Sequence, residues 1–180
     1  MPVIGIDDGG FEKGVDKTAI LVAVLIKDLS IHAVRFNQIQ VDGLDATEKA
    51  IQLLEGLNFE AIMLAGVSFA GFNIIDPTVL LNVFGKPTII VSKRKPNNKA
   101  VKRALFRHFK DWRIRWSVFE KLGEVHRFSI SGKNYLYFEV LGLDFKEAIE
   151  LIKSLTIIGR CPEPVRVAKL IAHDLYRRMK

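Results

Sequence analysis

The sequence predicts an α/β fold: a mixed sheet of three antiparallel strands plus two parallel ones, flanked by helices, with an added C-terminal hairpin and helices. Three observations predict it. Apolar, β-type runs at 3–7, 18–26 and 29–41 follow one another with short connections. Two further apolar runs, 60–65 and 87–91, are each preceded by a stretch of helical periodicity. Strand, helix, strand at this spacing joins parallel neighbours, because a parallel connection needs a crossover that a tight turn cannot supply.

The elements follow in order. Residues 3–7 form a short apolar strand that ends in Asp7, Asp8 and two glycines. The turn at Lys27 and Asp28 separates the next two strands, which makes the opening an antiparallel meander. Asp45 and Glu48 have the spacing of a capping box, with Ile51, Leu54 and Leu57 on one helical face behind it. A glycine-containing loop, 66–72, leads to Asp76 and Pro77, a cap and first-turn pair for a helix that Gly85 ends. After the strand at 87–91 come a basic helical stretch (99–121), a hairpin (125–131 and 133–141) and two helices (145–155 and 164–179). Three antiparallel strands extended by two parallel ones is the ribonuclease H arrangement.

With 49% hydrophobic and 26% charged residues, the chain has enough apolar surface for a substantial core, and disorder is excluded. Its 180 residues fit one domain spanning 1–180. No charge-free apolar run approaches the roughly 18 residues a membrane helix needs. The opening MPVIGIDDGG lacks a basic stretch ahead of an apolar run and reads as a strand, not a leader. The single cysteine, Cys161, rules out an intrachain disulfide and a cysteine-ligated metal site. A cytoplasmic protein is expected; the oligomeric state is left open.

The net charge of +7 is unevenly placed. Residues 93–121 hold eleven Lys or Arg against Asp111 and Glu120, a local +9, and the remainder of the chain sums to −2. Charge massed in this way suits a polyanion. Lys93, Arg94 and Lys95 follow a buried strand directly. Lys99, Arg103, Arg107 and Lys110 then recur every three or four residues, on one helical face, with Arg113 and Arg115 beyond. Nucleic acid is the expected partner along this stripe, with Trp112 and Trp116 either stacking on bases or packing in the core.

Phosphodiester cleavage with divalent ions needs carboxylates that converge at one sheet edge. Asp7 and Asp8 end the first strand, Asp42 and Asp45 follow the third, and Asp76 follows the fourth after its loop. Asp45 and Asp76 also read as helix caps and Asp42 as a turn residue, so each has a structural alternative. Adjacent acids at the mouth of a buried strand repel each other unless a cation lies close, which singles out Asp7 and Asp8. The loop at 66–71 lacks the Gly-Lys-Ser/Thr ending of a phosphate-binding loop. The four histidines (His32, His108, His126 and His173) show no metal-ligand spacing.

Five segments carry a family resemblance: IGIDDGGF (4–11), QVDGLDAT (40–47), LAGVSFAGFNIID (64–76), PTIIVSKRKP (87–96) and CPEPVRVAKLIAH (161–173). In these the chain resembles a small, largely archaeal family described as endonuclease-dU-like and distantly related to endonuclease V. The resemblance implies a ribonuclease-H-like fold and a Mg²⁺- or Mn²⁺-dependent endonuclease of DNA repair, acting on DNA with a deaminated base such as uracil. Asp7 resembles the endonuclease V aspartate that ends the first strand, and Lys93 resembles its lysine after a PTIGVAK-like strand. The second acid has only loose counterparts in Asp45 or Glu48. The acid of a VDG-like motif is missing, since Leu64, Ala65 and Gly66 stand there, and Gln40 to Gly43 replace a tyrosine-containing wedge. The expected site therefore comprises Asp7, Asp8, Asp42, Asp76 and Lys93, with Asp45 as a further metal-site acid. The alternative is a nucleic-acid-binding protein with a degraded nuclease site.

Overall fold

The computed structural model describes residues 1–132 and 134–180; Lys133, where the second hairpin strand is expected to start, lies outside the described residues. The first three strands are β1 (Val3–Asp8), β2 (Thr18–Lys27) and β3 (Ser30–Gln40), paired antiparallel around β2. Helix α1 (Ala46–Leu54) crosses to β4 (Ala61–Leu64), and α2 (Pro77–Phe84) crosses to β7 (Thr88–Ser92). Strand β4 pairs parallel with β1, and β7 pairs parallel with β4. This is the ribonuclease-H-like core the sequence predicts. Strands β1 and β4 are buried on both faces, which is why they read as continuous apolar runs and not as alternating ones.

The C-terminal part extends that sheet. Helices α3 (Asn98–His108) and α4 (Trp112–Lys121) lead to the hairpin of β8 (His126–Ser131) and β9 (Asn134–Leu141). Strand β9 pairs antiparallel with β7, giving one seven-stranded sheet in the order β3-β2-β1-β4-β7-β9-β8. Ile4, Ile6, Leu21, Ile62 and Leu64 face one core layer beneath α1 and α2. On the opposite face Val3, Met63, Ile89 and Phe138 pack with α5 (Phe145–Leu155) and with Val165 of α6 (Glu163–Met179). Helix α6 lies so close to β1 that a Cβ on Gly5 would collide with the Pro164 carbonyl group.

Four local expectations differ. Asp28 and Leu29, both at positive φ (52° and 60°), form the first turn, so β3 starts one residue later than expected. The capping box does not form: Asp45 makes no cap hydrogen bond, and Asn73 Oδ1 accepts from the Ala46 N–H at 2.9 Å instead. The 66–72 loop contributes Ser68 and Phe69 (β5) to a small hairpin with Asn73 and Ile74 (β6). The basic helix is two helices, broken between His108 and Trp112, where Phe109 leaves the helical region at φ −128°.

Candidate active site

The end of β1 places two consecutive carboxyl groups at the edge of the sheet. Successive strand residues point to opposite faces. Asp8 accordingly turns toward the small hairpin, where its Oδ2 accepts from the Ala70 N–H at 2.5 Å. Asp7, only 7% exposed, accepts from the Asp8 N–H at 2.9 Å. Burial, and then the neighbouring Asp8 charge, push the Asp7 carboxyl up to about 7. Burial also raises Asp8, countered in part by its bond from Ala70. Burial is the largest cause in both groups, and the Lys169 charge acts against it.

Asp7 opens into a cleft of about 280 Å³ shared with Lys93, Arg94, Cys161 and Lys169. Lys93 comes from the residue after β7, the parallel neighbour of β4, so the crossover topology brings it to the same edge as β1. Lys169 comes from α6, and its charge acts to lower Asp7 against the larger effect of burial. Ala65, following β4, lines the same cleft at the position where the sequence lacks an acid.

The remaining acids are engaged elsewhere. Asp42 sits at φ 56°, and its Oδ1 accepts from the Phe72 N–H at 2.9 Å. Gly71 has no alternative there, because a Cβ would run into that carboxylate. Asp45 Oδ1 holds the Gln40 N–H and the Asn73 amide, at 3.1 and 2.6 Å. Asp76 caps α2 through Thr78 at 2.9 Å, and its other oxygen meets Lys121 Nζ at 3.2 Å. Among the described residues, no three His, Cys, Asp or Glu side chains group so as to hold one metal ion. The donor set at Asp7 and Asp8 fits a single hydrated divalent cation, since Mg²⁺ binds through one or two carboxylates and completes its shell with water and phosphate oxygens. It does not fit a closed multi-carboxylate cage.

The basic residues divide. Lys93, Arg94 and Lys95 are exposed beyond β7, and Lys99, Arg103 and Arg107 are exposed along α3, with Lys110 and Arg113 exposed beyond its end. Lys99, Arg103, Phe106 and Trp112 border one shallow groove. Arg115 is a correction to the surface stripe: it is 5% exposed. Its guanidinium donates to both Asp111 oxygens (2.9 Å each) and to the carbonyls of Gly43 (2.8 Å) and Phe72 (2.6 Å). Four of its five N–H donors tie α4 to the loops around the site, and its burial keeps it from phosphate. Trp116 stacks on Phe119 and donates to Glu120, while Trp112 meets Phe106 edge-on.

Two residues of this region escape the sequence reading. Lys169 lies 76 positions beyond Lys93 in the chain and reaches the cleft only because α6 docks on β1. Glu139, 4% exposed on β9, lines an adjoining cleft that shares Ser92 and Arg94 with the first. Burial alone raises its carboxyl to about 7. The only signal for it in the sequence is an acid within an otherwise apolar strand, NYLYFEVL.

The sequence model of the family described as "Endonuclease dU" matches residues 1–176. A UPF0215 protein of Thermococcus gammatolerans is 38% identical over 177 residues, covering 94% of this chain and 89% of that one. Its counterpart in Methanothermobacter thermautotrophicus is 34% identical over 175 residues, covering 94% and 85%. Among solved structures, a protein of unknown function from Archaeoglobus fulgidus superposes with a TM-score of 0.85 at 29% identity, covering 97% of each chain. Endonuclease V of Ciona intestinalis, in complex with DNA containing an inosine, superposes with a TM-score of 0.68 at 14% identity, covering 99% of this chain and 86% of that one. This last likeness is one of fold. Among the described residues no helix is long and apolar enough to cross a membrane. On the family match over nearly its whole length, the chain belongs to the endonuclease dU family.

Proposed function

We propose that the protein is a divalent-cation-dependent endonuclease that cuts DNA containing a deaminated base such as uracil. The observation that carries this reading is the buried Asp7 carboxyl, with Asp8 next to it on β1, opening into one cleft with Lys93 and Lys169. A buried carboxyl that shares a cleft with two ammonium groups suits a phosphodiester approached by one bound cation. When bound, Mg²⁺ or Mn²⁺ would supply Lewis-acid charge on a phosphate oxygen and a water of lowered pKa. Asp7 and Asp8 would hold that ion and orient its water shell. Lys93 and Lys169 would place positive charge where the scissile phosphate gains negative charge. Asp42, Asp45 and Asp76 would keep the surrounding loops in position, and Lys93 to Lys95 with the α3 stripe would bind backbone phosphates.

The test is nicking of labelled duplex and single-stranded DNA carrying uracil or hypoxanthine, with Mg²⁺, Mn²⁺ or EDTA, by the parent, Asp7→Ala and Lys93→Ala. Metal-dependent nicking near the modified base, absent in Asp7→Ala, is the expected result. Undiminished cutting by Asp7→Ala would remove this site assignment.

One observation favours a second reading, a nucleic-acid-binding protein that does not cut. Ala65 stands in the cleft where a third acid would face Asp7. That reading expects salt-sensitive binding that needs no divalent ion and no nicking with either metal.

A further inference from the structure

We infer that the outer face of α6 is a second DNA-backbone track, leading one arm of the strand away from the Asp7–Lys93 cleft. The inference rests on the proposed nuclease reading for the position of the scissile phosphate. It assigns a surface outside the basic 93–115 stretch.

Lys93 and Lys169 border the catalytic cleft and also a neighbouring groove of about 510 Å³, lined further by Leu170, His173 and Arg177. Lys169, His173 and Arg177 recur every fourth residue along α6, so they share a slowly winding face, and all three are exposed. Four residues of helix advance about 6 Å. That step is close to the separation of successive phosphates along a strand, so Lys169, His173 and Arg177 can meet consecutive phosphates, His173 through a ring N–H.

The groove also holds Arg166 and Asp174, and both are satisfied internally. Arg166 is bound to Glu163 at 2.8 and 2.6 Å, and Asp174 to Arg178 at 2.7 Å. Among the described residues Lys169, His173 and Arg177 form no ion pair, which leaves them for an external anion. Exposed Leu170 between them offers an apolar contact for a sugar face.

The track is rigidly aligned with the acids. Helix α6 rests on β1 through Gly5, against the Pro164 carbonyl, and on the residue just past the strand, Gly9, against the Ala172 carbonyl. The strand that ends in Asp7 and Asp8 therefore fixes the line of Lys169, His173 and Arg177. The α3 stripe leaves Lys93 by a different element, so the two basic surfaces suit the two arms of one strand, either side of the cut.

The experiment is fluorescence anisotropy of a labelled uracil-containing single strand, in EDTA, at several salt concentrations. The proteins are the parent, His173→Ala/Arg177→Ala and Arg177→Lys, and the strand is also shortened from each end in turn. The double variant is expected to bind roughly tenfold more weakly at low salt, with the slope of log affinity against log salt shallower by about 1. Arg177→Lys should retain most of the affinity. Shortening one particular end should weaken the parent and leave the double variant unaffected. Affinity and slope equal to the parent's, or equal sensitivity of the double variant to shortening at both ends, would overturn the track. Both substitutions are on exposed side chains, so an unchanged melting temperature separates lost contact from lost fold. If the double variant binds weakly but no protein nicks DNA, the track stands and the nuclease reading falls. If nicking is observed and binding is unchanged, the reverse holds.

Discussion

Asp7 and Asp8 are neighbours on β1 with different obligations: Asp8 is fixed by the Ala70 N–H at 2.5 Å, whereas Asp7 takes the Asp8 N–H at 2.9 Å and faces the cleft of Lys93 and Lys169. Asp8 is anchored to the far loop, and Asp7 is the carboxyl that meets the cleft. Asp7→Asn should therefore abolish nicking and also remove ion binding. In the parent, millimolar Mg²⁺ at pH 8 should raise the melting temperature, because an ion that binds only the folded state stabilises it by mass action. In Asp7→Asn that increase should vanish. A Mg²⁺-induced increase of the same size in both proteins would show that Asp7 holds no ion.

The Glu139 carboxyl makes a separate prediction about pH. Its value is about 7 when folded against 4.5 when unfolded, so between these pH values the folded state keeps a proton that the unfolded state has lost. Stability then falls as pH rises from about 4.5 to 7 and the deficit is complete above 7. Glu139→Gln should remove this deficit, raising stability at pH 8 by on the order of 2 kcal/mol and changing it little at pH 4.5. Urea midpoints at the two pH values measure it, and equal gains at both would mean that the carboxyl is not held protonated. If Glu139→Gln also slows nicking, the buried carboxyl has been kept for the site at the expense of stability.

Much of this was legible in the chain because the signals are local. The apolar runs of β1, β2, β4 and β7, and the acids and Lys93 at their ends, lie within short windows, and crossover rules place those ends on one edge. What was not legible depends on partners distant in sequence. Asn73 displaces Asp45 as the cap of α1 from 27 residues away. Strand β9 joins the main sheet by pairing with β7, which hairpin spacing alone does not reveal. Lys169 enters the site only through the docking of α6. Arg115 has the same charge as Arg113, and only the carbonyls of Gly43 and Phe72 decide that one is a strut and the other a surface group.

That difference within the basic segment can be measured. Arg115→Ala leaves Asp111 and two loop carbonyls without their donor, and losses of this kind cost about 3 kcal/mol. Lys99→Ala/Arg103→Ala/Arg107→Ala removes only exposed charge and should leave stability within about 0.5 kcal/mol. The triple variant should instead bind a single DNA strand with a salt slope shallower by about 2. Equal stability of the two variants would remove the strut assignment. An unchanged salt slope in the triple variant would take α3 out of the interface.

The tight seat of α6 on β1 predicts an unusually severe effect from one methyl group. A Cβ on Gly5 would meet the Pro164 carbonyl and the Val165 nitrogen, which are backbone atoms and cannot rotate aside. Either α6 lifts from the sheet or β1 shifts, and each movement opens the contacts of Val165 and Ala168, both buried to 2% or less exposure. Gly5→Ala should cost more than about 3 kcal/mol, at the upper end of overpacking effects. Gly14→Ala is the control: Gly14 has φ 82° but open space around it, so only backbone strain of about 1 kcal/mol is expected. Because Lys169 rides on α6, Gly5→Ala protein that still folds should also lose Lys169 from beside Asp7. Its binding to a uracil-containing strand should then weaken together with its urea midpoint. Normal stability in Gly5→Ala would show that α6 is not seated on the β1 backbone, and the alignment of Lys169, His173 and Arg177 with the acid pair would lose its cause.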